Sequence, residues 1–155
     1  MAELRKVLCP IDMTPGAGSA TEEAANLARA LGAELLLLHV MGEPMLALGD
    51  PMLAPGEVGT FALPQLTEEY HREMAQRLER LGEQLRSTGL TVSTMLLRGN
   101  PHEAIVSAAD SEHVDLIVMG THGRKGVSHL LLGSVAERVV RTAKVPVMTL
   151  KLKLN

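Results

Sequence analysis

Aromatic side chains are almost missing from this chain. Among 155 residues there is no tryptophan, and Phe61 and Tyr70 are the single phenylalanine and the single tyrosine. Stacking platforms for single-stranded nucleic acid are therefore not available, and any bound base has to sit between aliphatic side chains. An excess of positive charge is missing too, since 15 Lys and Arg stand against 18 Asp and Glu, a formal net charge of −3. Affinity for phosphate backbones comes largely from clustered Lys and Arg, so the balance speaks against a general nucleic-acid binder. Cysteine is reduced to Cys9, which rules out an internal disulfide. Cys9 lies in an apolar strand segment, where a buried and unreactive thiol is expected rather than a nucleophile. No apolar run approaches the ~20 residues of a membrane span, and Met1 to Lys6 leads into a strand with no secretory h-region. A cytoplasmic protein is the simplest expectation.

Apolar residues make up 46% and charged residues 21% of the chain, an ordinary balance for a globular protein, and the length suits one domain with a full core. Leu4 to Ile11 is a short apolar segment that delivers Asp12 to its carboxyl end, where Thr14-Pro15-Gly16 breaks it. Ala20, Ala24, Leu27, Ala28 and Leu31 recur at helical spacing, and Gly32 stands where a helix-ending glycine belongs. Glu34 to Met41 contains the run Leu35 to Leu38, typical of a strand covered on both faces. Residues 42–64 are rich in proline and glycine without a sustained period and read as a long mobile loop, a candidate lid or partner surface.

The clearest amphipathic helix is expected from Gln65 to Ser87, with Tyr70, Met74, Leu78, Leu81 and Leu85 on one face and Gly89 ending it. Thr91 to Arg98 reads as a third strand. Asn100-Pro101-His102-Glu103 then supplies an N-cap, a proline at N1 and an acid at N3 for a helix that turns Ile105, Ala108 and Ala109 inward. A fourth strand at Leu116 to Met119, a helix from Val135 to Ala143 and a fifth strand at Val145 to Leu150 complete the chain. Strands alternating with helices of crossover length imply parallel, right-handed βαβ units, an α/β fold with a five-stranded parallel sheet and helices on both faces.

The most informative stretch runs from Val114 to Glu137. The apolar strand stops at Gly120, and a glycine-spaced loop follows before Gly133-Ser134 opens the next helix. Gly120 and Gly123 lack a Cβ and let a polyanion approach main-chain N–H groups. Ser134 with Glu137 three residues on has the form of a capping box and predicts a helix start at Val135. The amides of Val135 and Ala136 and the positive end of the helix then favour a phosphate, with Arg124 and Lys125 adding mobile charge. The spacing Gly-x2-Gly-x9-Gly-Ser is not that of a P-loop. The alternative is a plain surface loop followed by a capped helix.

The segments DLIVMGTHGRKG and LLLGSVAERVV resemble the nucleotide-binding signature of the universal stress protein family, and the resemblance extends from Val7 to Leu150. It implies a Rossmann-like strand order 3-2-1-4-5 and an ATP site, with Mg²⁺ shared with the nucleotide. Asp12 would accept a hydrogen bond from the ribose, and its alternative role is a turn or cap. Pro10 and Val40 would border the adenine, and Ile11 stands between Pro10 and Asp12. The phosphates would be held by the loop Gly120, Thr121, His122, Gly123, Arg124, Lys125 and Gly126 and by Gly133, Ser134, Val135 and Ala136. In open α/β sheets ligands bind outside the carboxyl ends of the strands where the winding reverses, here between strands one and four.

Other motifs carry less. Gly16-Ala17-Gly18 suggests a dinucleotide fingerprint, but Thr21 replaces its third glycine and no acid ends the second strand. The six histidines are scattered, which gives no metal spacing; His122 and His129 flank the loop, and His39 reads as a hydrogen-bonded core or rim residue. The tail Thr149 to Asn155 alternates leucine and lysine, and pairing with its own copy would cover this edge in a homodimer. The expectation is a nucleotide-dependent regulatory dimer acting on an unknown protein partner, without a catalytic residue. A slow ATPase or self-phosphorylating enzyme using a hydroxyl such as Ser128, an ATP-pyrophosphatase-like enzyme and an interaction-only dimer remain as alternatives.

Overall fold

The computed structural model describes residues 2–13, 17–42, 62–121 and 132–151. Five strands, β1 (Lys6–Ile11), β2 (Glu34–Met41), β3 (Val92–Arg98), β4 (Leu116–Gly120) and β5 (Val147–Leu150), form one sheet. Its order is β3-β2-β1-β4-β5, and all four neighbouring pairs are parallel. Four helices connect the strands: α1 (Ala17–Leu31), α2 (Ala62–Arg86), α3 (Pro101–Ser111) and α4 (Ser134–Thr142).

The leucine run of β2 explains the layering. Leu35 and Leu37 pack with Ala24, Ala25, Ala28 and Leu78 beneath α1 and α2. Leu36 and Leu38 face the other way, toward Ile105, Ala108 and Val139 of α3 and α4. All four leucines are at most 1% exposed, so both faces of the strand are dry, and each side chain contributes roughly 1.5–3 kcal/mol by burial. That is why the run is continuous and not alternating. Small alanines on α1 let it lie close to the sheet, and the backbone leaves it through Gly32 at φ +66°, a conformation an L side chain resists.

Several expected boundaries shift for identifiable reasons. Helix α2 begins at Ala62, three residues before the expected start. Pro64 falls in its first turn, where an amide has no intrahelical acceptor and proline loses nothing. Tyr70 is 42% exposed, not on the buried face with Met74 and Leu78. Helix α1 starts at Ala17, β3 and β5 start at Val92 and Val147, and Asn100 is the N-cap residue of α3 but makes no side-chain capping bond. The expected loop falls mostly on residues 43–61, outside the described residues, as does the tail at 152–155. Among the described residues no helix is long and apolar enough to cross a membrane.

Candidate functional site

Strands β1 and β4 are paired at their amino ends, and their ladder stops short of their carboxyl ends, where Pro10 has no N–H to donate. Their register joins Val7 with Leu116 and Leu8 with Ile117, whereas β1 stays paired with β2 as far as Ile11 with His39. The main-chain directions show what faces the unpaired stretch. The Arg5 carbonyl accepts from Glu34 on the β2 side and the Lys6 carbonyl from Asp115 on the β4 side. By this alternation Pro10 presents its main chain toward β4. In β4 the amides of Ile117 and Thr121 donate to Pro146 and Leu150 on the β5 side, so Gly120 presents its main chain toward β1. Pro10 has no N–H to offer, and a proline inside a central strand is tolerated where no ladder bond is required.

The other wall comes from the start of α4. The amide of Gly133 donates to the Thr121 carbonyl at 2.5 Å, which ties the end of β4 to the residue before the helix. The capping-box expectation is corrected here: Gly133 is the N-cap, Ser134 is the first helical residue, and among the described residues no side chain makes a cap hydrogen bond. Glu137 lies one residue too deep to reach back, and its carboxylate accepts from Arg141 at 2.6 Å instead. The consequence favours an anion more than a capping box would. The amides of Ser134, Val135 and Ala136 have no intrahelical acceptor by helix geometry.

The expected residues thus divide into groups. Pro10, Asp12, Val40, Gly120, Thr121, Gly133, Ser134, Val135 and Ala136 gather around the carboxyl ends of β1, β2 and β4. Pro10, Asp12, Val40 and Gly120 are partly accessible, Ser134 is exposed, and Thr121 and Ala136 are buried. Asp12 and Thr121 each have an interaction partner within the protein. Ile11 differs, because its side chain belongs to the core under α1 and its carbonyl is held by His39. His122, Gly123, Arg124, Lys125 and Gly126 lie outside the described residues, as do Ser128 and His129. An open groove of about 790 Å³ between α3 and α4, lined by His102, Val106, Asp110 and Lys144 among others, is separate from this crevice.

His39 is the hydrogen-bonded core residue that the sequence suggested. The ring is 3% exposed, and Nδ1 lies 2.6 Å from the Ile11 carbonyl oxygen. A histidine near the end of a hydrophobic strand was the available signal, but its partner in β1 was not legible. The thiol of Cys9 is buried, and burial, opposed by a hydrogen bond with Thr21, pushes its pKa up to about 12. It is a neutral core group, as expected.

A five-stranded parallel sheet in this order, with its winding reversed between β1 and β4, is the arrangement the sequence resemblance implied. The universal stress protein family model matches residues 3–151. The chain belongs to the universal stress protein family. Universal stress protein MJ0577 of Methanocaldococcus jannaschii is 31% identical over 157 residues, covering 96% of both chains. The solved structure of MJ0577 superposes with a TM-score of 0.78 at 28% identity, covering 99% of this chain and 100% of that one. Family members captured with bound nucleotides share the fold. One in complex with cAMP has a TM-score of 0.69 at 21% identity, covering 98% of this chain and 100% of that one. One from Archaeoglobus fulgidus in complex with dAMP has a TM-score of 0.58 at 23% identity, covering 97% and 100%.

Proposed function

We propose that the crevice between β1 and β4 binds an adenine nucleotide, ATP with Mg²⁺, and that the protein is a cytoplasmic homodimer whose occupancy regulates a protein partner. The observation that carries this reading is the first turn of α4, without a side-chain cap among the described residues and held against Thr121 beside the end of the β1–β4 ladder. Amides without an intrahelical acceptor and the positive end of a helix favour an anion, and the reversal of winding is where open α/β sheets take ligands. Two relatives of the same fold in complex with cAMP and dAMP support the fold's capacity for adenine nucleotides.

In this reading the amides of Ser134, Val135 and Ala136 and the loop from Gly120 to Gly126 take the phosphates. Asp12 accepts from the ribose, and Pro10 and Val40 border the base as aliphatic walls. Among the described residues no three His, Cys, Asp or Glu side chains gather closely enough to hold a metal ion. Mg²⁺ therefore enters with the nucleotide, coordinated by phosphate oxygens and water, as that ion commonly is. The dimer reading draws on β5, an edge strand whose Met148 is 41% exposed.

Ser134→Asp tests the phosphate assignment. A carboxylate at the first helical position suits the helix dipole but repels a phosphate at the same place. ATP affinity is expected to fall by at least about tenfold while the melting temperature holds or rises. Unchanged affinity would place the phosphates elsewhere. Timed phosphate release from the wild-type protein separates a carrier from an enzyme.

A further inference from the structure

Among the described residues the buried imidazole of His39 makes a single hydrogen bond. Its Nδ1 is 2.6 Å from the Ile11 carbonyl oxygen, and a carbonyl only accepts, so Nδ1 carries the proton. Among the described residues no group hydrogen-bonds the buried Nε2. An aliphatic side chain would fill a site that is 3% exposed without leaving a polar atom unmatched. The return on that cost is the hold on Ile11.

The hold acts where β1 needs one. Beyond Leu8 the strand has lost its register with β4 and keeps it with β2, so its last peptides are restrained from one side. Asp12 follows immediately, and the chain then turns through Met13 at φ +62°, a conformation a non-glycine residue adopts only when its surroundings impose it. We propose that His39 is a positioning residue for the nucleotide site: its Nδ1–H fixes the Ile11 carbonyl on the β2 side and thereby sets the direction in which Asp12 leaves the sheet toward the crevice. The role in binding rests on the nucleotide reading; the role in setting Asp12 does not.

Two variants separate this from simple core packing. His39→Leu keeps an apolar side chain of similar bulk and removes the donor. His39→Asn sets an amide nitrogen near the place of Nδ1 and removes Nε2. In the protein without nucleotide, amide hydrogen exchange at Asp12 and Met13 is expected to accelerate in His39→Leu and to return toward the wild-type rate in His39→Asn, with β3 unchanged in both. ATP affinity is expected to fall about tenfold in His39→Leu through misplacement of Asp12 and to recover in His39→Asn. Melting temperatures are expected in the reverse order, because Leu fills the core better than Asn. A packing residue would move stability and affinity together. Wild-type exchange at Asp12 in His39→Leu, or an Asn variant that behaves as Leu does, overturns the proposal. Absence of ATP binding by the wild type would instead remove the site reading, and the exchange rates would still decide whether His39 sets Asp12.

Discussion

Gly82 of α2 lies so close to Thr94 of β3 that a Cβ added to the glycine would stand 2.8 Å from the Thr94 methyl carbon Cγ2. The methyl cannot swing away freely, because the Thr94 hydroxyl donates to Glu79 at 2.7 Å. Glycine inside a helix costs about 1 kcal/mol relative to alanine, so Gly82→Ala would stabilise an open site. Here the clash wins, and Gly82→Ala is expected to lower stability by about 1 kcal/mol in a denaturant titration. Adding Thr94→Ser removes the methyl while retaining the hydroxyl, and the double variant is expected to recover that loss.

Glu79 gives the fold a small acid sensitivity. Its carboxylate accepts from Arg86 first and from Thr94 second, and these bonds hold its pKa below the ordinary 4.5. A depressed carboxylate stabilises the folded state fully above 4.5 and loses that contribution as pH falls through the folded value. The Glu79 side chain is 47% exposed, so solvent screening keeps the effect under about 1 kcal/mol. Compared from pH 6 to pH 3, the wild type is expected to lose slightly more stability than Glu79→Gln. Parallel curves would assign the pair no role.

Cys9 predicts the opposite limb. Its pKa is raised from 9.0 to about 12 by burial, so the neutral thiol's contribution is complete below pH 9 and declines above it, as the unfolded chain ionises first. At pH 10 the wild type is expected to have lost about 1.4 kcal/mol more than Cys9→Ala, relative to pH 8. The native thiol should also resist alkylation at pH 8 until the protein is unfolded.

The exposed edge at β5 carries the prediction about assembly. Met148 on the strand and Val140 on α4 are large apolar side chains open to solvent in the single chain. Met148→Asp puts a desolvated charge into any interface there, and sedimentation is expected to show a dimer converted to a monomer. A wild-type protein that sediments as a monomer at tens of micromolar contradicts the dimer reading.

The sheet was legible because its rules are local and its cores are large. Leu35 to Leu38 announce a strand covered on both faces, and Gly32 ends its helix at the expected residue. Misreadings arose where one residue type serves two positions. Pro64 suggested a loop, although the first helical turn accepts proline. Ser134 suggested a cap one residue away from its actual place, because serine and an acid at that spacing fit either register. Tyr70 matched the helical period yet faces solvent one turn beyond the packed end of α2. Of the candidate site, Gly120 and the helix start were visible as a pattern, and Pro10, Asp12 and Val40 came from family resemblance. The short ladder between β1 and β4 and the hold of His39 on Ile11 are relations between distant segments, which no local pattern encodes.

The central claim is that main-chain amides at the start of α4, beside the end of the β1–β4 ladder, clasp the phosphates of an adenine nucleotide. Calorimetric titration of nucleotide-free protein with ATP and Mg²⁺ tests it most directly. The account predicts one saturable site per chain, weakened by Ser134→Asp. Absence of saturable heat up to millimolar ATP, together with an unchanged melting temperature, would contradict it.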